Sequence, residues 1–244
     1  MKHLKIIIAG LGIVAVSYLQ LSCSKQAVDN ISETQDDFSN KSIVQVFIPA
    51  VNAAARNTLY IDGKAVSGNL IGTGNLFPSS GIGFTVDGGL KTFLLKDTLS
   101  TSTQTALTFT QNLDAAKHYT VFVYDTSTSL KQKTVLDNIV IPTDTTSRIR
   151  FANFIYSTSA IPGVDVYSFV LQKNIFTNIP VTEVTDFIPY PSRAPVDTLY
   201  IRETGTTNVL VKASISVLTP KKNYTFVYRG SQKVTKVASL YGTY

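Results

Sequence analysis

Side chains suited to chemistry are few in this sequence: two histidines, His3 and His118, one cysteine, Cys23, and 16 acids. Nucleophilic or general-base catalysis needs an imidazole, or an equivalent base, within hydrogen-bond reach of its partner. His3 lies in an N-terminal stretch that reads as removable, and His118 stands beside Tyr119 at a strand entry, the place of an ordinary polar residue. Zinc wants three or four closely spaced ligands, and neither Cys-x-x-Cys nor His-x-x-x-His occurs. Asp62, Asp87, Asp97 and Asp125 fall at loop edges without the Asp-x-Asp-x-Asp-Gly run of a calcium loop. Gly72-Thr73-Gly74 and Gly81-Ile82-Gly83 lack the third glycine, the lysine and the following helix that cradle phosphate. No spacing singles out a pair of carboxylates for glycoside hydrolysis. The expectation is a chain that is not an enzyme, with no catalytic residue, no cofactor and no metal.

Cys23 is the exception, because its context is directional. Lys2, His3 and Lys5 precede an apolar run from Ile6 to Leu19, followed by Gln20-Leu21-Ser22-Cys23. A membrane-crossing helix needs roughly 20 apolar residues, so a run this short reads as the core of an export signal. The segment before the cysteine resembles a lipobox, with Ser22 acceptable and Gln20 replacing the usual aliphatic residue. That resemblance implies a diacylglyceryl group on the Cys23 thiol, cleavage just before it, and acylation of the new amino terminus by a palmitate-type chain. Several acyl chains anchor stably, since each buried methylene contributes about 0.8 kcal/mol. The expected location is the outer membrane, lipid-anchored, on its cell-surface or periplasmic face. Surface lipoproteins of the Bacteroidota often carry acids close behind the cysteine. Here Lys25 comes first and the acids begin at Asp29, which leaves the leaflet open.

The elements that carry these residues read as strands. Apolar residues make up 44% and charged ones 16%, a globular composition rich in Thr, Ser, Val, Ile and Tyr. The net charge is +6, but Lys2 and Lys5 leave with the signal and Lys221-Lys222 is the only clustered pair, so no nucleic-acid footprint forms. Residues 1–22 are the signal peptide. Residues 23–40, with Asp29, Glu33, Asp36 and Asp37, read as a lipidated cysteine and polar tether. Short strands separated by turns are predicted at 43–48, 58–61, 82–86, 90–95, 105–110, 119–124 and 135–141. The same order returns at 148–154, 164–169, 184–188, 198–203, 209–215, 224–228 and 234–238. Asp62-Gly63 and Asp87-Gly88-Gly89 fit tight hairpins between such runs. The fold class expected is all-β: two tandem immunoglobulin-like β-sandwich domains, 41–144 and 145–244.

The sharpest internal match sets Leu113-Asp114-Ala115-Ala116-Lys117-His118-Tyr119-Thr120 against Leu218-Thr219-Pro220-Lys221-Lys222-Asn223-Tyr224-Thr225. Tyr119 and Tyr224 look like tyrosine corners, whose hydroxyls bond backbone a few residues upstream. With Arg148 to Phe154, Val164-Asp165-Val166-Tyr167 and the first-copy run Val44 to Ala50, these strands resemble the domain of unknown function 4397, frequent in exported Bacteroidota proteins. The resemblance spans roughly 41–244, implies a sandwich and carries no catalytic residue, since fold does not imply function. Pro180, Pro189, Pro191 and Pro195 break the middle of the second copy, which should be an edge or a long loop. Residues 174–195 are the candidate variable binding surface. Tyr156, Tyr190 and Tyr241 are candidates for a sugar-stacking face, beside the alternative that they are ordinary core or surface tyrosines. The functional expectation is a cell-envelope lipoprotein with a binding or structural role, its partners the membrane through the anchor and a glycan or protein at the cell surface. The alternative is a subunit of a surface fibre or adhesin assembled by strand addition.

Overall fold

The computed structural model describes residues 38–244 apart from 69, 193–195 and 217, so the signal segment and Cys23 lie outside the described residues. The first repeat forms β1 (Lys41–Phe47), β2 (Asn57–Ile61), β3 (Lys64–Ala65), β4 (Leu76–Phe77), β5 (Phe84–Asp87), β6 (Gly89–Asp97), β7 (Leu107–Leu113), β8 (His118–Thr126) and β9 (Ser129–Asp137). The second forms β10 (Ser147–Tyr156), β11 (Val164–Ser168), β12 (Lys173–Ile179), β13 (Ile188–Tyr190), β14 (Asp197–Glu203), β15 (Val209–Ile215), β16 (Asn223–Ser231) and β17 (Lys236–Gly242). No helix occurs among the described residues.

Each repeat is a pair of sheets with the same topology. In the first, β3-β2-β6-β7 faces a sheet of order β4-β1-β8-β9, with β5 also pairing β1; in the second, β12-β11-β14-β15 faces β13-β10-β16-β17. The central pairs β1/β8 and β10/β16 are parallel and the other ladders antiparallel. Ile61-Asp62-Gly63-Lys64 closes a two-residue hairpin, and both central residues have positive φ, 48° and 78°. That is the geometry for which Asp-Gly is suited.

Several strands depart from the sequence pattern. Asp87-Gly88-Gly89 does not close a hairpin: β5 pairs β1 while β6 pairs β2, so the turn carries the chain from one sheet to the other. β9 begins at Ser129, because β8 runs on to Thr126 and turns back at once. No strand forms over 184–187, where Val184 makes a single bridge to Ala152, while Ile188 opens β13 opposite Ile149. The strands of that region are β12 and β13, each at the edge of its sheet. Pro189 within β13 is tolerated there because an edge position asks for no inward donor.

The two sandwiches are not separate bodies on a string; residues 38–244 make one compact unit. Val44, Val46, Leu59, Phe93, Tyr119 and Val121 fill the first core. Ile149, Phe151, Val166, Leu199, Phe226 and Tyr228 fill the second. A third core, Phe47, Phe122, Ala152, Phe154 and Val227, joins them. It is built from the alternate residues of β1, β8, β10 and β16, those pointing away from their own sandwich. The β1/β8 and β10/β16 sheets are therefore inner layers buried on both faces, which is why β10 and β16 are almost continuously buried.

Candidate functional site

The two corner tyrosines act alike. The Tyr119 hydroxyl accepts a hydrogen bond from the Asp114 N–H at 3.0 Å, and that of Tyr224 accepts one from the Thr219 N–H at 3.0 Å. The approach to each is also repeated. Ala116 and Lys221 take left-handed backbone, φ 59° and 63°, and their N–H groups bond the carbonyls of Lys41 and Thr146. Ser42 and Ser147 donate to the carbonyls of Asp114 and Thr219 at 2.7 and 2.9 Å. The sequence motif is thus a fastening of the turn into β8 to β1, and of the turn into β16 to β10.

One of the three tyrosines considered for a sugar-stacking face, Tyr190, is interior, which corrects that expectation for it, while Tyr241 is half-buried. Tyr190 is 4% exposed, packs in the second core and donates to the Asp197 carboxylate, which also accepts from Ser168 and the Val170 N–H. Burial and then the Asp197 bond push its hydroxyl well above the ordinary tyrosine range. Tyr241, on β17, stacks on Phe47 of the other repeat with ring centroids 5.0 Å apart. Burial pushes its hydroxyl upward too. Alternation in an antiparallel edge strand turns this side chain toward the junction, where it also lines a cleft beside Gly74 and Phe77. Tyr156, the last residue of β10, is half-buried and lines a cleft.

At the centre of the junction lies an ion pair, Arg150 Nη1 to Asp137 Oδ1 at 2.6 Å, with both side chains 2% exposed. Gln45 and Arg150 hold matching places, opposite Thr120 and Thr225 in the two parallel ladders. Arg150 donates to Thr225 Oγ1 at 2.9 Å and to Thr120 Oγ1 at 3.1 Å, while Thr120 donates to Asp137 Oδ2 at 2.6 Å. Phe187 stacks under the guanidinium, 4.7 Å from its ring centroid. Every strong donor and acceptor of the pair is engaged, as a buried charge requires. This cluster is a fastening between sandwiches, and its sealed position leaves no room for a substrate. His118 edges onto Tyr244 at 5.4 Å, and burial lowers its pKa against the pull of Asp137.

One end of the junction opens into a cleft of about 530 Å³, walled by Val51, Asn52, Thr73 and Thr126 from the first repeat and by Tyr156, Arg229, Ser231, Val234, Thr235 and Val237 from the second. That volume suits a small organic ligand. Arg229 continues β16 beyond Tyr228 and is half-buried, with Nε shielded from solvent and no hydrogen-bond acceptor or carboxylate paired to it among the described residues. A side chain on Gly74, φ 78°, would strike this guanidinium, so the glycine is what lets it lie there. Among the described residues no acid lines the cleft; the nearest one along β8, Asp125, is bound to Lys131 at 2.7 Å. Sequence reasoning passed over Arg229 because a single arginine in an apolar strand looks like any surface charge. The cue was available only in Gly74, whose partner lies in the other repeat. Among the described residues no group of three or more His, Cys, Asp or Glu could hold a metal. Neither a family model nor a curated protein sequence matches the chain.

Proposed function

We propose that this chain is an exported lipoprotein of the cell envelope, held to the outer membrane by acyl chains on Cys23, with a binding or structural role and no enzymatic activity. The observation that carries the reading is the position of Cys23, the sole cysteine, directly behind a short apolar segment with basic residues before it. A lone thiol in an oxidising compartment is a liability unless it is modified. Its partners are then the membrane, through the anchor, and a glycan or protein at the cell surface. A compact body of two fused sandwiches suits such a role, since loops presented by a rigid scaffold make contacts without an ordering penalty.

The fibre alternative asks for a free donor strand. β17 is already laddered along β16 from Tyr224–Gly242 to Gly230–Lys236, so exchange would have to unzip that register first. Fractionation of cells expressing wild type beside Cys23→Ala tests the anchored reading. The wild type should sediment with outer membranes and the variant should appear in the soluble periplasmic fraction. Equal distribution of the two would overturn it, and protease shaving of whole cells then reports the leaflet.

A further inference from the structure

We infer that the cleft at the open end of the sandwich junction binds a carboxylate-bearing sugar, with Arg229 taking the carboxylate. This deepens the binding role proposed above and does not depend on the anchor. Three observations meet here. Arg229 is a guanidinium with a shielded Nε and no partner among the described residues, in a cleft where no described lining residue is an acid. Leaving a buried donor unpaired is unfavourable, and a planar guanidinium matches a carboxylate through two parallel N–H···O bonds. The charge therefore asks for an anion that no described residue supplies.

The rest of the wall argues for a polyol. Asn52, Thr126 and Ser231 place an amide and two hydroxyls in the cleft. Thr73 already donates to the Ala50 and Ala53 carbonyls, at 3.0 and 3.3 Å, and so offers its oxygen as an acceptor. Tyr156 adds an aromatic ring at the same site, the usual partner of a sugar's C–H face. A cleft of about 530 Å³ accommodates one or two sugar rings. The walls come from both repeats, so the site exists only because the sandwiches are fused.

The test is calorimetric titration of the full-length chain, purified in detergent from whole-cell lysate, with glucuronate, glucose and inorganic phosphate. Glucuronate should bind at least tenfold more tightly than either of the others, and Arg229→Gln should weaken it at least tenfold while circular dichroism stays unchanged. Tyr156→Ala should weaken glucuronate and leave phosphate unaffected. Should Arg229→Gln fail to fold, Ser231→Glu, which sets a carboxylate inside the cleft to occupy the guanidinium, should abolish binding in a folded chain. Equal affinity for glucuronate and glucose, phosphate binding as tight as glucuronate, or glucuronate binding that survives Arg229→Gln, or Ser231→Glu where Arg229→Gln does not fold, would overturn the inference. A failed titration leaves the membrane fractionation of Cys23→Ala unaltered, and a failed fractionation leaves the titration unaltered, so the two readings fall separately.

Discussion

Asp97 ends β6 and organises the loop that follows. Hydrogen bonds from Ser102 and the Leu99 N–H, together with the Arg56 guanidinium at 2.9 Å, hold its carboxyl down to about 2. The unfolded carboxyl titrates near ~3.9. Because the folded value is the lower one, the stabilisation is complete above the unfolded value and is lost as pH falls through the folded one. Denaturant midpoints between pH 5 and pH 2 should therefore fall more steeply for wild type than for Asp97→Asn, and parallel curves would contradict the assignment. Tyr119→Phe strands the part-buried Asp114 N–H and should lower stability by about 1–3 kcal/mol in urea titrations, whereas Tyr224→Phe frees the exposed Thr219 N–H to water and should cost about 0.5–1.5 kcal/mol. Tyr119 and Tyr224 were legible in the sequence because the motif around them occurs twice. Tyr190 and Tyr241 were not, since which face of an edge strand meets a partner depends on a sheet from elsewhere in the chain. Arg150 was equally hidden: its partner, Asp137, belongs to the other repeat.

At the scale of elements, two-residue alternation and turn residues located most of the strands, and the hairpin at Asp62-Gly63 follows from local geometry alone. Local signals failed where pairing is decided at a distance. Residues 184–188 alternate well enough for a strand, yet between Pro180 and Pro189 only Val184, by one bridge, and Ile188, at the start of β13, are paired, while β12, with the weaker pattern, finds an open edge beside β11. The turn at Asp87-Gly88-Gly89 has hairpin residues and is used to cross between sheets. β17 gives the sharpest test at this scale. As a closing strand it should keep its amides from 236 to 242 protected to nearly the global unfolding free energy in hydrogen exchange, and the chain should remain monomeric on sizing at high concentration. Rapid exchange of that segment together with higher oligomers would instead favour strand addition.

For the whole molecule, the third core makes two repeats into one cooperative body. Phe122 and Phe154 stack across it with centroids 4.6 Å apart, and Lys133 reaches over to the Thr182 carbonyl at 2.7 Å. Removing one partner of the buried ion pair, as in Asp137→Ala, should cost about 3–5 kcal/mol, whereas replacing both by apolar residues, Asp137→Leu with Arg150→Met, should recover most of that loss. Scanning calorimetry should show a single transition for the wild type, and two resolved transitions would contradict a shared core. Fusion of this kind could not be read from one repeat at a time: buried alternate residues on β1, β8, β10 and β16 look the same whether they face a neighbour or a loop. The anchor lies at the other extreme, carried wholly by the sequence. Intact-mass analysis of the protein from native membranes, wild type beside Cys23→Ala, tests it most directly. The account predicts a wild-type chain beginning at Cys23 with the added mass of its acyl chains, absent from the variant; a wild-type mass with no acyl addition would contradict it.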